Sequence, residues 1–142
     1  MPRQDRAFVS RRMALVRSRN TKPELALRRA LFRLGHRFRV HHSGIVGRPD
    51  VVFVGARVCV FVDGEFWHGY RWAHSHEQIK VRRGYWIPKI EANMKRDRRT
   101  NRALRRQGWK VIRLWSRAVR RDPERCAVRI DEIVRPRAKS QS

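Results

Sequence analysis

Two adjoining apolar runs, Val51–Val54 and Arg57–Val62, are linked only by Gly55 and Ala56. Short runs rich in β-branched residues and bounded by glycine read as strands, and a two-residue link reads as an antiparallel hairpin. Acids bracket it. Gly47-Arg48-Pro49-Asp50 enters the first run, and Asp63-Gly64-Glu65-Phe66-Trp67-His68 leaves the second. In an antiparallel pair the start of one strand and the end of the next share a sheet edge, so Asp50 comes close to Val62 and Asp63. The loops leaving such an edge are where a rigid scaffold presents its chemistry. Asp63-Gly64 is equally a turn signature, so the pattern alone leaves Asp63 between the two roles.

The remaining signals place this hairpin in a small α/β domain. Thr21-Lys22-Pro23-Glu24 reads as a capping box with proline in the first turn, opening a helix with Leu27, Leu31 and Leu34 on one face and Gly35 at its end. Further strands are predicted at Arg37–Val40 and Trp109–Trp115. A helix is predicted from Lys89 to Gln107, and another opens at Asp122-Pro123. The stretch from Asp63 to Pro88 shows no period and reads as a long functional loop. The predicted class is α/β, a single mixed β-sheet flanked by helices. Residues 1–20 form an arm with a short helix after Ser10, residues 21–135 the domain, and residues 136–142 a disordered tail.

Periodicity also singles out one acid. Ile90, Met94, Asp97, Asn101 and Leu104 fall on one face of the predicted helix, which sets Asp97 and Asn101 on an otherwise apolar, inward stripe. An inward polar residue needs a partner or a role.

The formal net charge of the 142 residues is +24, and of 36 basic residues only six are lysine, leaving 30 arginines. Arginine binds phosphate bidentately and stacks on bases, so a charge this large points to nucleic acid. Arg48, Arg96, Arg98 and Arg99 are candidate DNA contacts. Cys59 and Cys126 are far apart in sequence, which argues against a disulfide framework or a thiolate metal site. No apolar run resembles a signal peptide or membrane span, so the expected location is cytoplasmic, at the nucleoid. Asp50 and Asp63, gathered within an arginine-rich domain, suit hydrolysis of phosphodiesters with Mg2+ held by one or both.

Several blocks together carry a resemblance. Gly47-Arg48-Pro49-Asp50, Val60-Phe61-Val62-Asp63-Gly64, Phe66-Trp67-His68, Trp86 with Lys89-Ile90, Asn93 with Arg96-Asp97-Arg98-Arg99, and Gly108-Trp109-Lys110-Val111 with Trp115 are colinear from about Thr21 to Trp115. In these the chain resembles the very-short-patch-repair (Vsr) DNA mismatch endonucleases. The resemblance implies a restriction-endonuclease-like PD-(D/E)XK fold. It also implies Mg2+-dependent nicking of one DNA strand beside a T·G mismatch, the lesion left by deaminated 5-methylcytosine. Mismatch-repair proteins or a cognate cytosine methyltransferase system are the implied companions.

By the same resemblance Asp50 binds metal, and Val62 does so through its backbone carbonyl. His68 lies near the attacking water with Asp97 supporting it, Glu24 reaches the active site from the first helix, and Phe66, Trp67 and Trp86 wedge into the base stack. Each residue has a plainer alternative. Glu24 completes a capping box, His68 could bind phosphate, and Phe66 or Trp67 could be core, although adjacent aromatics in extended backbone do not both point inward. Where the family's best-known members hold structural zinc, this chain has Glu65, Tyr70, Trp72 and Ser116 or Arg117, so no structural zinc is expected. His74 and His76 alone are a weak metal signal. Two other readings remain open: a sequence- or structure-dependent nuclease without T·G preference, and a non-catalytic DNA-binding protein on the same fold.

Overall fold

The computed structural model describes residues 20–140, apart from the side chains of Phe66, Trp67, Lys139 and Ser140. The expected arm and the short helix after Ser10 lie outside the described residues. Helix α1 spans Lys22–Arg33, with Thr21 as its N-cap: the Glu24 amide donates to the Thr21 hydroxyl at 3.4 Å. The reciprocal half of the predicted box is displaced by one residue, because the Glu24 carboxylate accepts from the Asn20 amide at 3.2 Å. Strands β1 (Arg39–Val40), β2 (Val51–Phe53) and β3 (Val58–Asp63) follow, each within a residue or two of the expected runs.

The stretch expected as a loop after Asp63 is instead largely helical. It forms α2 (Glu65–His68), α3 (Trp72–Ser75), a 3-10 turn over His76–Gln78, and the start of the long helix α4 (Arg83–Arg106). Single turns are too short to show a period, which is why the sequence concealed them. Helix α4 begins six residues before the expected Lys89 and carries Pro88 within its second turn. Only the Gly84 carbonyl loses its intrahelical donor there. Gly108, in the left-handed region at φ +88°, follows the helix end as predicted.

Strand β4 (Lys110–Trp115) runs parallel to β3, giving a four-stranded mixed sheet of order β1-β2-β3-β4 whose other neighbours are antiparallel. A parallel neighbour requires a crossover, and the segment α2 to α4 supplies it. Helices α5 (Ser116–Arg121) and α6 (Pro123–Ser140) complete the chain. Residues 141 and 142 lie outside the described residues. Where a disordered tail was expected after Pro136, α6 continues through Ser140. Arg137 explains why, since its guanidinium donates to the carbonyls of Ala56 (2.9 Å), Arg57 and Gly108 and ties the helix end to the β2–β3 turn.

Alternation along the strands divides the core into two. Val51, Phe53, Val58, Val60 and Leu114 face α1, α5 and α6, where Leu27, Leu31, Val119, Ala127 and Ile130 pack on them. Val52, Cys59 and Phe61 face the other way, onto Leu104 of α4 with Trp109 and Val111. The central strands are therefore covered on both faces, which explains why β2 reads as a continuous apolar run. Among the described residues no helix is long and apolar enough to cross a membrane.

Candidate active site

Two clusters of acids and histidines flank the C-terminal end of β3. The first joins three elements. Asp50 enters β2, Glu24 projects from the first turn of α1, and His41 follows β1. Asp50 Oδ2 accepts the Val62 amide at 2.6 Å, so the hairpin register fixes this carboxylate against the strand beside it. Backbone N–H and C=O of one strand residue face the same neighbour, which turns the Val62 carbonyl toward Asp50 as well. Glu24 is buried and held by Arg28 at 3.2 Å. His41 Nε2 lies 3.4 Å from Glu24, and its Nδ1 lies 3.7 Å from Asp50 Oδ1.

This crowding has an electrostatic signature. Burial, followed by the negative charges of Glu24 and Asp63, pushes Asp50 up from 3.8 to about 7, despite the Val62 amide and a small opposing effect of Arg28. Two carboxylates and a carbonyl converging where negative charge is under-compensated form an all-oxygen set suited to a hard divalent cation.

The second cluster is Asp63, His68 and Asp97, from the end of β3, the last residue of α2 and the middle of α4. His68 Nδ1 meets Asp97 Oδ2 at 2.5 Å, and its Nε2 lies 3.8 Å from Asp63 Oδ1. Arg113 of β4 donates to both Asp63 oxygens at 3.1 Å and to Asn101 at 2.7 Å, and lies 3.6 Å from Asp97. Burial raises the Asp63 carboxyl, while His68 and Arg113 oppose the rise. Burial would lower His68, but the Asp97 bond and the Asp63 charge outweigh it and hold the imidazole above its ordinary value. Arg113 already occupies this cluster with a positive charge, so its donor set suits a cation less than that around Asp50.

The structure thus joins Asp50 to Glu24, and His68 to Asp97 and Asp63. Asp63, which the sequence offers beside Asp50 as a possible second metal-holding carboxylate or a turn residue, has both oxygens engaged by Arg113. Trp86, expected to wedge into the base stack, packs inward. Its ring is 4% exposed and enclosed with Ile90, Trp72, Ile79 and Met94, so in this conformation it anchors the start of α4 and is not free to wedge between bases. Its neighbour Tyr85 is exposed, with Arg82 and Lys89 over its ring. Phe66 and Trp67 occupy the middle of α2, and their side chains lie outside the described residues. Arg48, Arg96, Arg98 and Arg99 are exposed.

Three functional-site residues escaped the sequence reading: Arg28, His41 and Arg113. The last was legible, because a charge at that position of the β4 run faces the same way as Val111, as Asp97 does in its helix. At the positions where zinc ligands were expected to be missing, Glu65 accepts from the Arg117 amide at 2.6 Å and the Ser116 hydroxyl at 2.8 Å. Tyr70 packs edge-on to Trp115 beside them. An open groove of about 1630 Å³ runs alongside, between α2–α3 and α5–α6, with Arg117, Arg120, Arg121, Arg125 and Arg129 on its wall. It lies next to the carboxylates and not over them.

Comparison with known proteins adds a third line. The profile of the family described as "DNA mismatch endonuclease Vsr" matches residues 2–74. A type II nicking enzyme of Neisseria meningitidis serogroup C is 44% identical over 119 residues, covering 84% of this chain and 80% of that protein. A type II nicking enzyme of Haemophilus parainfluenzae is 39% identical over 118 residues, 83% and 84% of the two chains. The DNA mismatch endonuclease Vsr of Escherichia coli K12 is 34% identical over 116 residues, 82% and 74% of the two.

Proposed function

The chain belongs to the Vsr DNA mismatch endonuclease family, and on that footing we propose that it nicks one strand of duplex DNA at a T·G mismatch with Mg2+ held at Asp50. It is a DNA endonuclease with the restriction-endonuclease-like fold. The observation that carries the proposal is the pairing of a cation-seeking carboxylate set with a carboxylate–imidazole dyad at the end of one strand. A nuclease needs both parts, and a simple DNA binder needs neither.

Asp50, Glu24 and the Val62 carbonyl would hold the ion. When bound, Mg2+ neutralises charge developing on the phosphate oxygens. Asp97 accepts from His68 Nδ1, which leaves Nε2 as the atom that takes a proton from water. The water oxygen forms the new bond to phosphorus, one phosphorus–oxygen ester bond breaks, and the departing oxygen takes a proton from solvent. Arg113 offsets the charges of Asp63 and Asp97, so the imidazole stays aligned without being locked between two unopposed acids. The lesion is deaminated 5-methylcytosine, so a cytosine methyltransferase acting on the same sites and mismatch-repair proteins in the same cytoplasm are its natural companions.

The test is nicking of T·G and matched duplexes of identical sequence. Asp50→Ala is expected to lower nicking of the T·G duplex by at least a thousandfold, on the order of 4 kcal/mol in the barrier, while DNA affinity is kept. Wild-type rates in that variant would sink the assignment. A second reading, nicking without T·G preference, is favoured by the enclosure of Trp86, which removes one expected wedge. Equal rates on the two duplexes would select it.

A further inference from the structure

We propose that Arg28 and His41 form a positioning relay that fixes the orientation of the Asp50 carboxylate for a divalent cation. The inference rests on Asp50 being the cation-holding residue, and it concerns two side chains that the reaction as derived above does not use.

Arg28 is the fixed end. Its Nη1 donates to the Asn20 side chain at 2.8 Å, and its Nη2 lies 3.2 Å from Glu24 Oε2 and 2.9 Å from His41 Nε2. A guanidinium only donates, so the 2.9 Å Arg28 contact, shorter than the 3.4 Å approach of Glu24 to the same nitrogen, assigns Nε2 as the acceptor and the proton of the neutral ring to Nδ1. That nitrogen faces Asp50 Oδ1 at 3.7 Å, a separation that aligns the carboxylate electrostatically without a full hydrogen bond. The His41 amide also donates to the Asp50 carbonyl at 3.3 Å.

His41 adopts φ +48°, in the left-handed region that a histidine enters at a cost. This backbone turn lets one residue address Asp50 by both amide and ring. Asp50 Oδ2 is meanwhile taken by Val62. One oxygen is thus fixed by the sheet and the other is addressed by His41, which leaves the carboxylate a single orientation. The structure assigns His41 as a donor to a metal-holding acid and not as a ligand, because an Arg28 N–H is aimed at Nε2, where the other tautomer would carry its proton.

The experiment is Mn2+ binding to the full chain without DNA, followed by electron paramagnetic resonance at one fixed pH. It is paired with 15N spectra of His41. His41→Ala is expected to weaken Mn2+ binding by about 10- to 100-fold, the scale on which supporting partners act on metal sites. His41→Asn is expected to stay within about threefold of the wild type on that same scale. Asparagine tolerates the left-handed backbone and carries an N–H the same number of bonds from the chain as Nδ1. In wild type the spectra should show Nδ1 protonated and Nε2 accepting, and Arg28→Lys should disturb that pattern.

Unchanged Mn2+ affinity in His41→Ala overturns the relay. So does an Asn variant as weak as the Ala variant, which would make the ring a ligand, and so does an unprotonated Nδ1. If His41→Ala does not fold, the Asn variant and the spectra decide alone. Asp50→Ala is the reference: wild-type Mn2+ binding there refutes the cation site itself, a failure distinct from that of the relay.

Discussion

At Asp50 the burial of a carboxylate beside Glu24 makes protonation state and stability one question. Its folded value of about 7 lies above the ordinary 3.8, so the protonated form favours folding. The resulting stability is complete below about 3.8 and is lost as pH rises through about 7. Asparagine imitates the protonated acid. In chelator-treated protein at pH 8, Asp50→Asn is therefore expected to melt higher than wild type by roughly 5 °C or more. The gap should close as pH falls toward 4. Equal melting temperatures at pH 8 would mean that the charge is not penalised in the fold. The same reasoning makes binding of a divalent ion release a proton near neutral pH. Asp97 and Asp50 were both legible from sequence, one by helical phase and one by hairpin geometry. Arg28 and His41 were not, because their meeting depends on a single left-handed residue that no pattern announces.

At the scale of elements, the short helix α2 carries His68 and cannot hold itself. Four residues close too few hydrogen bonds to outweigh nucleation, so its position must come from contacts outside it. Glu65 provides them by bonding Ser116 and the Arg117 amide at the β4–α5 junction, and Gly69 closes the other end at φ +70°. A Cβ at Gly69 would push the Met94 side chain aside, and the left-handed backbone there already favours glycine. Glu65→Ala is expected to cost roughly 1–2 kcal/mol, because two hydrogen bonds to a carboxylate are lost, one at an exposed amide and one at a part-buried hydroxyl. It should speed amide exchange across residues 64–69 and slow nicking, with Mn2+ binding unchanged. Unaltered exchange there would remove Glu65 from its anchoring role.

The strands were readable within a residue or two because two-sided burial leaves an unbroken apolar run. The turns between Asp63 and Pro88 were not, since tertiary contacts shape them. The helical continuation beyond Pro136 is hidden from the sequence for a related reason. Its order comes from Arg137 reaching backbone carbonyls far away in sequence.

For the whole molecule, a charge of +24, half of it on α4, α5 and α6, makes DNA affinity a property of ionic strength as much as of sequence. Arg96 and Arg99 are exposed on α4, the helix that carries Asp97. Replacing both with alanine is expected to lower the slope of log affinity against log salt by roughly 2. The loss should be equal on matched and mismatched duplexes, because phosphate contacts position and do not specify. A change in T·G preference would show that one of them reads a base.

The parallel pairing of β3 with β4 has a consequence in time. The site uses residues from nearly the whole described length, and Asp63 finds its arginine fifty residues later, on the strand that docks last along the chain. A chain still emerging from the ribosome holds Asp50 and His68 but neither Arg113 nor the strand that seats the long crossover helix. Such a partial chain holds Asp63 and His68 but lacks the guanidinium that offsets the buried charge of Asp63. The topology therefore closes the Asp63–Arg113 pair only after β4 has been made, fifty residues behind the acid it holds.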